Sequence, residues 1–233
     1  MLQTQKLFAS YGQFKALFGI DFSVAPGETV AIIGANGAGK STLLRSVTGV
    51  IRNAPDMVVH KGDPIGALSS HQIMRRGIAM VPEGRRLFPS LTVEENLQIG
   101  GQASTGIGSW GLESVYDLFP VLKEKRKSPS TSLSGGQQQM VAVGRALMSN
   151  PSLLLCDEIS LGLAPVVIND IYAAIPKIKQ SGAAIVVVEQ DITRALAVAD
   201  RVYCLMEGRV TLTGRPSDMS RDAIHAAYFG NET

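Results

Sequence analysis

Short, uninterrupted apolar runs recur along the chain: Thr29-Val-Ala-Ile-Ile33, Leu153-Leu-Leu-Cys156, Ala184-Ile-Val-Val-Val188 and Val202-Tyr-Cys-Leu-Met206. Runs of this kind, alternating with helical stretches, are the pattern of parallel strands buried on both faces. Residues 1 to 33 read as strands joined by short turns, with Pro26-Gly27 a turn signal between two of them. Leu43, Leu44 and Val47 predict a helix over residues 40 to 48, ended by Gly49. Ile168, Ile171, Ile175 and Ile178 fall at helical spacing. Pro176 lies inside that pattern, where it removes one hydrogen bond and crowds the carbonyl of Tyr172, so the helix is expected to kink or restart.

From about residue 88 to 145 the pattern changes. Glu94 to Ile99, Leu112 to Lys125 and Gly136 to Met148 are helical with no strand pattern between them, and Gly100 to Gly111 is a Gly/Ser-rich break. The expectation is a single domain over residues 1–233, an α/β core (1–87 and 146–233) carrying a mainly helical insert (88–145). No solenoid-length repeat or low-complexity segment interrupts it.

Composition adds bounds. Hydrophobic residues make up 45% and charged residues 18%, against about 25% charged in ordinary soluble domains; the deficit suggests surface covered by partners. A net charge of +2 gives no argument for nucleic acid or for electrostatic membrane binding. The apolar runs fall far short of the roughly 20 residues of a membrane span, and Met1-Leu-Gln-Thr-Gln-Lys6 has no signal-peptide character. Cys156 and Cys204 lie in strand-like apolar runs, which favours reduced thiols in a cytosolic protein over a disulfide framework.

Two glycine-rich stretches each open a helical pattern. The first is Gly34-Ala35-Asn36-Gly37-Ala38-Gly39-Lys40-Ser41-Thr42, between an apolar strand and a helix. It satisfies G-x-x-x-x-G-K-[ST]: the glycines let backbone N–H groups curl around phosphates, Lys40 reaches the β/γ oxygens and Ser41 offers its hydroxyl to Mg²⁺. The second is Leu133-Ser134-Gly135-Gly136-Gln137. Helix N-termini carry orphan N–H groups and roughly half a positive charge, so both are anion sites. One ATP cannot use both, and the economical explanation is a nucleotide sandwiched between two chains. For the second stretch, a plain Ser N-cap followed by a glycine turn is the alternative.

The run Leu153 to Cys156 ends in Asp157 and Glu158. At a strand tip beside a P-loop, Asp157 can hold Mg²⁺ and Glu158 can polarise the attacking water as a general base; without the P-loop, such a pair is a solvated turn. His60, His71 and His225 fit no metal or catalytic spacing.

The P-loop, Leu-Ser-Gly-Gly-Gln, the Asp157-Glu158 strand and a later strand ending in Val-Glu-Gln190 together resemble the ATP-binding subunit of an ABC transporter, over essentially the whole chain. Val81-Pro-Glu-Gly-Arg-Arg-Leu-Phe-Pro89, Leu91-Thr-Val-Glu-Glu-Asn96, Gly144-Arg-Ala-Leu-Met-Ser-Asn-Pro151 and Ser160-Leu-Gly-Leu-Ala-Pro165 are similar to the branched-chain (hydrophobic) amino acid importer family, in particular its LivF-type ATPase subunit. The resemblance implies an α/β P-loop ATPase core with a parallel sheet, an N-terminal antiparallel β subdomain and an inserted helical subdomain. It further implies ATP and Mg²⁺, hydrolysis coupled to import, and a peripheral position on the cytoplasmic face of a prokaryotic membrane. The implied partners are integral membrane permeases, a second and unlike ATPase subunit (with a homodimer possible in isolation) and, indirectly, a solute-binding protein; nucleic acid is not among them.

Carried over by position, Tyr11 stacks on adenine, though as a lone Tyr near a strand end it is otherwise a core or rim residue. Ser134, Gly135, Gly136 and Gln137 face a nucleotide held by another chain. Glu83 stands where most such ATPases have a Gln touching Mg²⁺ and the membrane partner, Gln190 where most have a His on the γ-phosphate, and Ala164 where an Asp is common. Gln190 cannot become a cation, and Glu83 adds negative charge that Mg²⁺ must offset. Hydrolysis is therefore expected but attenuated. Ile159 departs from the usual Pro. Arg85 to Pro89 occupy the family's permease-facing region; a solvated basic turn with a buried Phe88 is the competing reading. Rival functions are a soluble, non-transport ABC ATPase, an importer ATPase for urea or amide-type solutes, and a GTPase switch, which leaves Leu133 to Gln137 unexplained and lacks its base-reading motif.

Overall fold

The computed structural model describes residues 1–102 and 108–230; residues 103–107 of the Gly/Ser-rich break lie outside the described residues. In chain order the elements are β1 (Leu2–Tyr11), β2 (Phe14–Val24), β3 (Thr29–Ile33), α1 (Lys40–Val47), β4 (Val58–His60), β5 (Asp63–Pro64), α2 (Ser70–Met74), β6 (Ile78–Val81), α3 (Val93–Gly101), α4 (Leu112–Leu118), α5 (Pro120–Glu124), α6 (Gly135–Leu147), β7 (Leu153–Asp157), α7 (Pro165–Gln180), β8 (Ala184–Glu189), α8 (Ile192–Val198), β9 (Arg201–Met206), β10 (Arg209–Gly214) and α9 (Arg221–Phe229). They form two compact units, Met1–Ile73 with Ala184–Thr233, and Met74–Ala183.

The first unit carries an antiparallel sheet in the order β2-β1-β4-β5. Along β1 the buried residues Leu2, Thr4, Leu7 and Ala9 alternate with exposed ones, as on an antiparallel sheet with one wet face. The unit's other strands behave differently. β3 and β8 are buried at every position, and β3 lies between β8 and β9, parallel to both, with Ile33 opposite Glu189 on one side and Cys204 on the other. α8 and α9 cover one face through Ala195 and Ile224, packed with Ala31, Ile33, Val202 and Cys204.

β10 runs antiparallel to β9, adding an antiparallel strand beside the expected parallel strands β8, β3 and β9. The reason is the turn: Glu207 and Gly208 both take positive φ, 48° and 71°, the geometry of a two-residue hairpin whose twist matches its strands.

In the second unit β6 and β7 pair in parallel. Residues 88–145 hold α3, α4, α5 and most of α6, and among the described residues no strand. The expected Leu112–Lys125 helix is two helices. Pro120 opens α5 and holds Phe119 at φ −133°, ψ 80°, because the residue before proline is pushed out of the helical region. Pro176 does not restart its helix: α7 continues through it for 16 residues, with four buried isoleucines (168, 171, 175 and 178) anchoring the face that carries the proline's neighbours. Cys156 and Cys204 are buried thiols, not joined in a disulfide. Among the described residues no helix is long and apolar enough to cross a membrane.

Candidate functional site

The predicted site residues fall on both units: Tyr11, Gly34 to Thr42 and Gln190 on the first, and Glu83, Ser134 to Gln137, Asp157 and Glu158 on the second.

On the first unit, β3 ends at Ile33 and the chain turns at once into the glycine loop. Gly34 has φ +154°, and a Cβ there would collide with the Leu205 carbonyl. Gly39, which caps α1 in the left-handed conformation at φ 101°, would bring a Cβ to 2.7 Å from Leu17 Cδ2. The course of the loop thus requires glycine at these two positions, where any side chain would strike Leu205 or Leu17. Lys40 is only 4% exposed; its Nζ donates to the carbonyls of Gly34 at 2.7 Å and Ala35 at 3.1 Å, so the cation helps close the loop. Ala35, Asn36 and Gly37 stay exposed at its tip. A cradle of backbone amides at the start of α1, with an ammonium inside it, fits a polyphosphate.

Tyr11 ends β1 and lies against α1. Arg45 Nη1 donates to its phenolic oxygen at 3.1 Å, and the same oxygen lies 3.5 Å from Thr42 Oγ1, while the ring remains 43% exposed. Gln190, half-buried, directly follows Glu189, which stands opposite Ile33. It therefore occupies the same carboxyl end of the parallel strands from which the loop springs, the edge where ligands of α/β sheets bind.

On the second unit, Asp157 closes β7 and is buried. Glu158 follows in the left-handed region at φ 49°, a conformation uncommon for a residue with a side chain and concentrated at functional sites. Ile159 packs inward at 1% exposure. Ser134 caps α6 in a reciprocal box: its hydroxyl accepts from Gln137 N, and Gln137 Oε1 accepts from Ser134 N. The capping role and a phosphate-facing role are compatible, because the first-turn amides still point along the helix axis.

The segment after Glu83 is held by Arg145 and Asn96, to which the sequence alone assigned no role. Gly84, Arg85 and Arg86 all have positive φ (75°, 64° and 47°). Arg145 donates to the carbonyls of Arg86 at 2.9 Å and Arg85 at 3.1 Å, and its guanidinium lies 5.5 Å from the Phe88 ring centre. Burial pulls the Arg145 guanidinium below its ordinary pKa. Asn96, fully buried, accepts from Phe88 N and donates to the carbonyls of Phe88, Leu91 and Thr92. The ring of Phe88 is nevertheless 46% exposed, so the expectation of a buried Phe88 in a solvated turn is not met. Arg85 itself lies against the Leu133–Gln137 stretch, hereafter the signature turn: its Nη1 donates to Gln138 Oε1 at 3.3 Å, and its guanidinium nitrogens lie 3.0 to 3.3 Å from where a Cβ of Gly135 would stand. Asn96 could have been found as the polar residue between Val93 and Leu97 on the apolar face of α3; Arg45 and Arg145 carry no comparable signal.

The ABC transporter family model matches residues 17–160. The high-affinity branched-chain amino acid transport ATP-binding protein BraG of Pseudomonas aeruginosa is 44% identical, over 99% of this chain and 100% of its own length. The probable branched-chain amino acid transport ATP-binding protein LivF of Archaeoglobus fulgidus is 34% identical over 94% of each. A solved dimeric ATP-binding cassette in a post-hydrolysis state, bound to ADP and Pi, superposes with a TM-score of 0.82 at 26% identity, covering 93% of this chain and 99% of that one. The chain belongs to the ABC transporter family, as one of its ATP-binding, ATP-hydrolysing subunits.

Proposed function

We propose that this subunit drives import of branched-chain or other hydrophobic amino acids. Its place is the cytoplasmic face of a prokaryotic membrane, on permease subunits served by a solute-binding protein. The observation that carries the reading is the full-length 44% identity to a branched-chain amino acid transport ATP-binding protein. Lys40 and the amides from Gly34 to Thr42 bind the phosphates, and Tyr11 takes the base. The hard oxygen donors of Ser41, Asp157 and Glu83 suit Mg²⁺, which when bound offsets phosphate charge. Glu158 holds the attacking water and accepts its proton; Gln190 hydrogen-bonds the terminal phosphate without adding charge. Ser134, Gly135, Gly136 and Gln137 complete the site of a second ATPase subunit.

Asymmetry follows from residue chemistry. With Gln190 neutral and Glu83 anionic, this chain's own P-loop site is the weaker one, while its intact signature turn serves a stronger site on an unlike partner. Closure of the pair around nucleotide supplies the mechanical input, and hydrolysis reopens it. The test is co-expression with the permeases and the second ATPase, purification, and uptake into vesicles. The complex should copurify, take up leucine faster than urea, and hydrolyse ATP much faster than the chain alone. Purification free of any membrane protein would favour a soluble non-transport ATPase, urea uptake an amide-type importer, and full-rate hydrolysis by a homodimer would refute the unlike pair.

A further inference from the structure

We propose that Phe14 is a second base-contacting residue, forming with Tyr11 an aromatic wall against the purine of the nucleotide whose phosphates the glycine loop holds. The inference rests on the nucleotide-site reading above. It starts from the tip of the first hairpin, where β1 and β2 meet across Gly12 and Gln13 and the last opposed pair is Tyr11 with Phe14. Directly opposed residues of an antiparallel pair project to the same face with Cβ atoms about 4.5–5.5 Å apart. Their rings are therefore neighbours on one side of the hairpin.

Two observations identify that side. Along β1, Leu7 and Ala9 are buried and Tyr11 continues their alternation, so Tyr11 points to the face turned toward the core. Its hydroxyl is accordingly tied to α1, beside Thr42 and under Arg45, in the first two turns after the phosphate cradle. The opposite face is occupied otherwise. Lys15 stands over the rings of Phe8 at 4.7 Å and Phe18 at 5.7 Å, and Phe14, adjacent to Lys15 in the strand, projects away from them.

Phe14 is 71% exposed. A single exposed phenylalanine needs no explanation by itself. This one stands beside an exposed tyrosine whose hydroxyl is fixed to the phosphate-binding helix, so the two rings offer a contiguous π-surface next to the polyphosphate cradle. Purines stack on such surfaces. Neither ring has polar atoms aimed at a base edge, so the wall selects for a flat heteroaromatic base and leaves the choice among purines to other groups.

The experiment is calorimetry of the full-length chain with Mg-ATP and, separately, with Mg-tripolyphosphate, which carries the phosphates and no base. Phe14→Ala should weaken Mg-ATP about tenfold, the scale of one stacked aromatic, and leave tripolyphosphate unchanged. Phe14→Trp should restore Mg-ATP affinity. Thermal melting should barely move, because the ring is exposed. Unchanged ATP affinity in Phe14→Ala overturns the proposal, as does an equal loss for both ligands, which would trace the effect to the cradle. A wild-type chain that binds tripolyphosphate but gains nothing from the base overturns the aromatic wall alone; one that binds neither ligand overturns the nucleotide site as well.

Discussion

Replacing Asn96 by alanine isolates what holds the segment that displays Phe88. The side chain is fully buried and makes four hydrogen bonds, accepting from Phe88 N at 2.9 Å and donating to the carbonyls of Phe88, Leu91 and Thr92. Three of those partners keep another donor: Phe88 O accepts from Ser130 Oγ, Leu91 O from Ser130 N and Thr92 O from the Asn96 amide. The Phe88 N–H does not keep its acceptor; a fully buried donor left so costs about 1–3 kcal/mol, and this part-buried one sits toward the lower end. With the loss of the other bonds and the small void, about 3 kcal/mol of destabilisation is expected, a fall in Tm of roughly 6–12 °C for a chain of this size.

Phe88→Ala removes a ring that is about half exposed and stacked under the Arg145 guanidinium. Half of a Phe burial term and an exposed cation–π contact come to about 1–2 kcal/mol together. Thermal melting of both variants, beside capture by detergent-solubilised permease, separates the roles: both variants should lose capture, and Asn96→Ala should lose more stability. A melting temperature for Asn96→Ala within about 2 °C of wild type, or a larger loss for Phe88→Ala, would refute the view that Asn96 carries the segment and Phe88 the contact.

Lys40→Ala should abolish tight Mg-ATP binding by calorimetry while leaving far-UV dichroism unchanged, since the ammonium's bonds to the Gly34 and Ala35 carbonyls stay within its own loop. Glu158→Gln keeps size and hydrogen bonding but cannot take a proton, so ATP should still bind while turnover of the assembled complex falls about 100-fold or more; near wild-type turnover would place the base elsewhere. Burial pushes the Cys204 thiol up, so the native state keeps a proton that the unfolded chain releases as pH rises past the ordinary thiol range near about 8.5. The stability tied to that proton is present below this range and lost above it. Urea midpoints of Cys204→Ala should accordingly fall less steeply than wild type between about pH 8 and 10.

What the sequence made legible was contiguous. The glycine loop lies within nine successive positions between a strand and a helix, and the fully apolar runs of β3, β7 and β8 could be buried only on both faces. β10 escaped because its exposure alternates and its pairing direction is set by the Glu207-Gly208 turn rather than by hydrophobicity. The helix split at Phe119 follows from a proline that the apolar period passes over. The side-chain contacts behind the site were illegible for a different reason: Arg45 reaches Tyr11 across 34 positions and Arg85 reaches Gln138 across 53, and no local pattern encodes a partner so far along the chain.

These contacts bear on how the signature turn is prepared. Ser134 and Gln137 satisfy each other's backbone amides, so the turn is shaped by its own residues. Arg85 then lies across Gly135, close enough that any side chain at Gly135 would have to displace its guanidinium. The carbonyls of Arg85 and Arg86 are in turn held by Arg145, whose cation stands over the exposed Phe88 ring. An exposed ring at one end and the start of α6 at the other are thus joined by one arginine pair within a single compact unit. Arg145 meets the Phe88 ring and the Arg85 and Arg86 carbonyls, and Arg85 meets Gln138 and Gly135 at the start of α6. Both ends of this chain of contacts lie in one unit: the exposed ring that follows Glu83, and the 13-residue α6 that begins at Gly135.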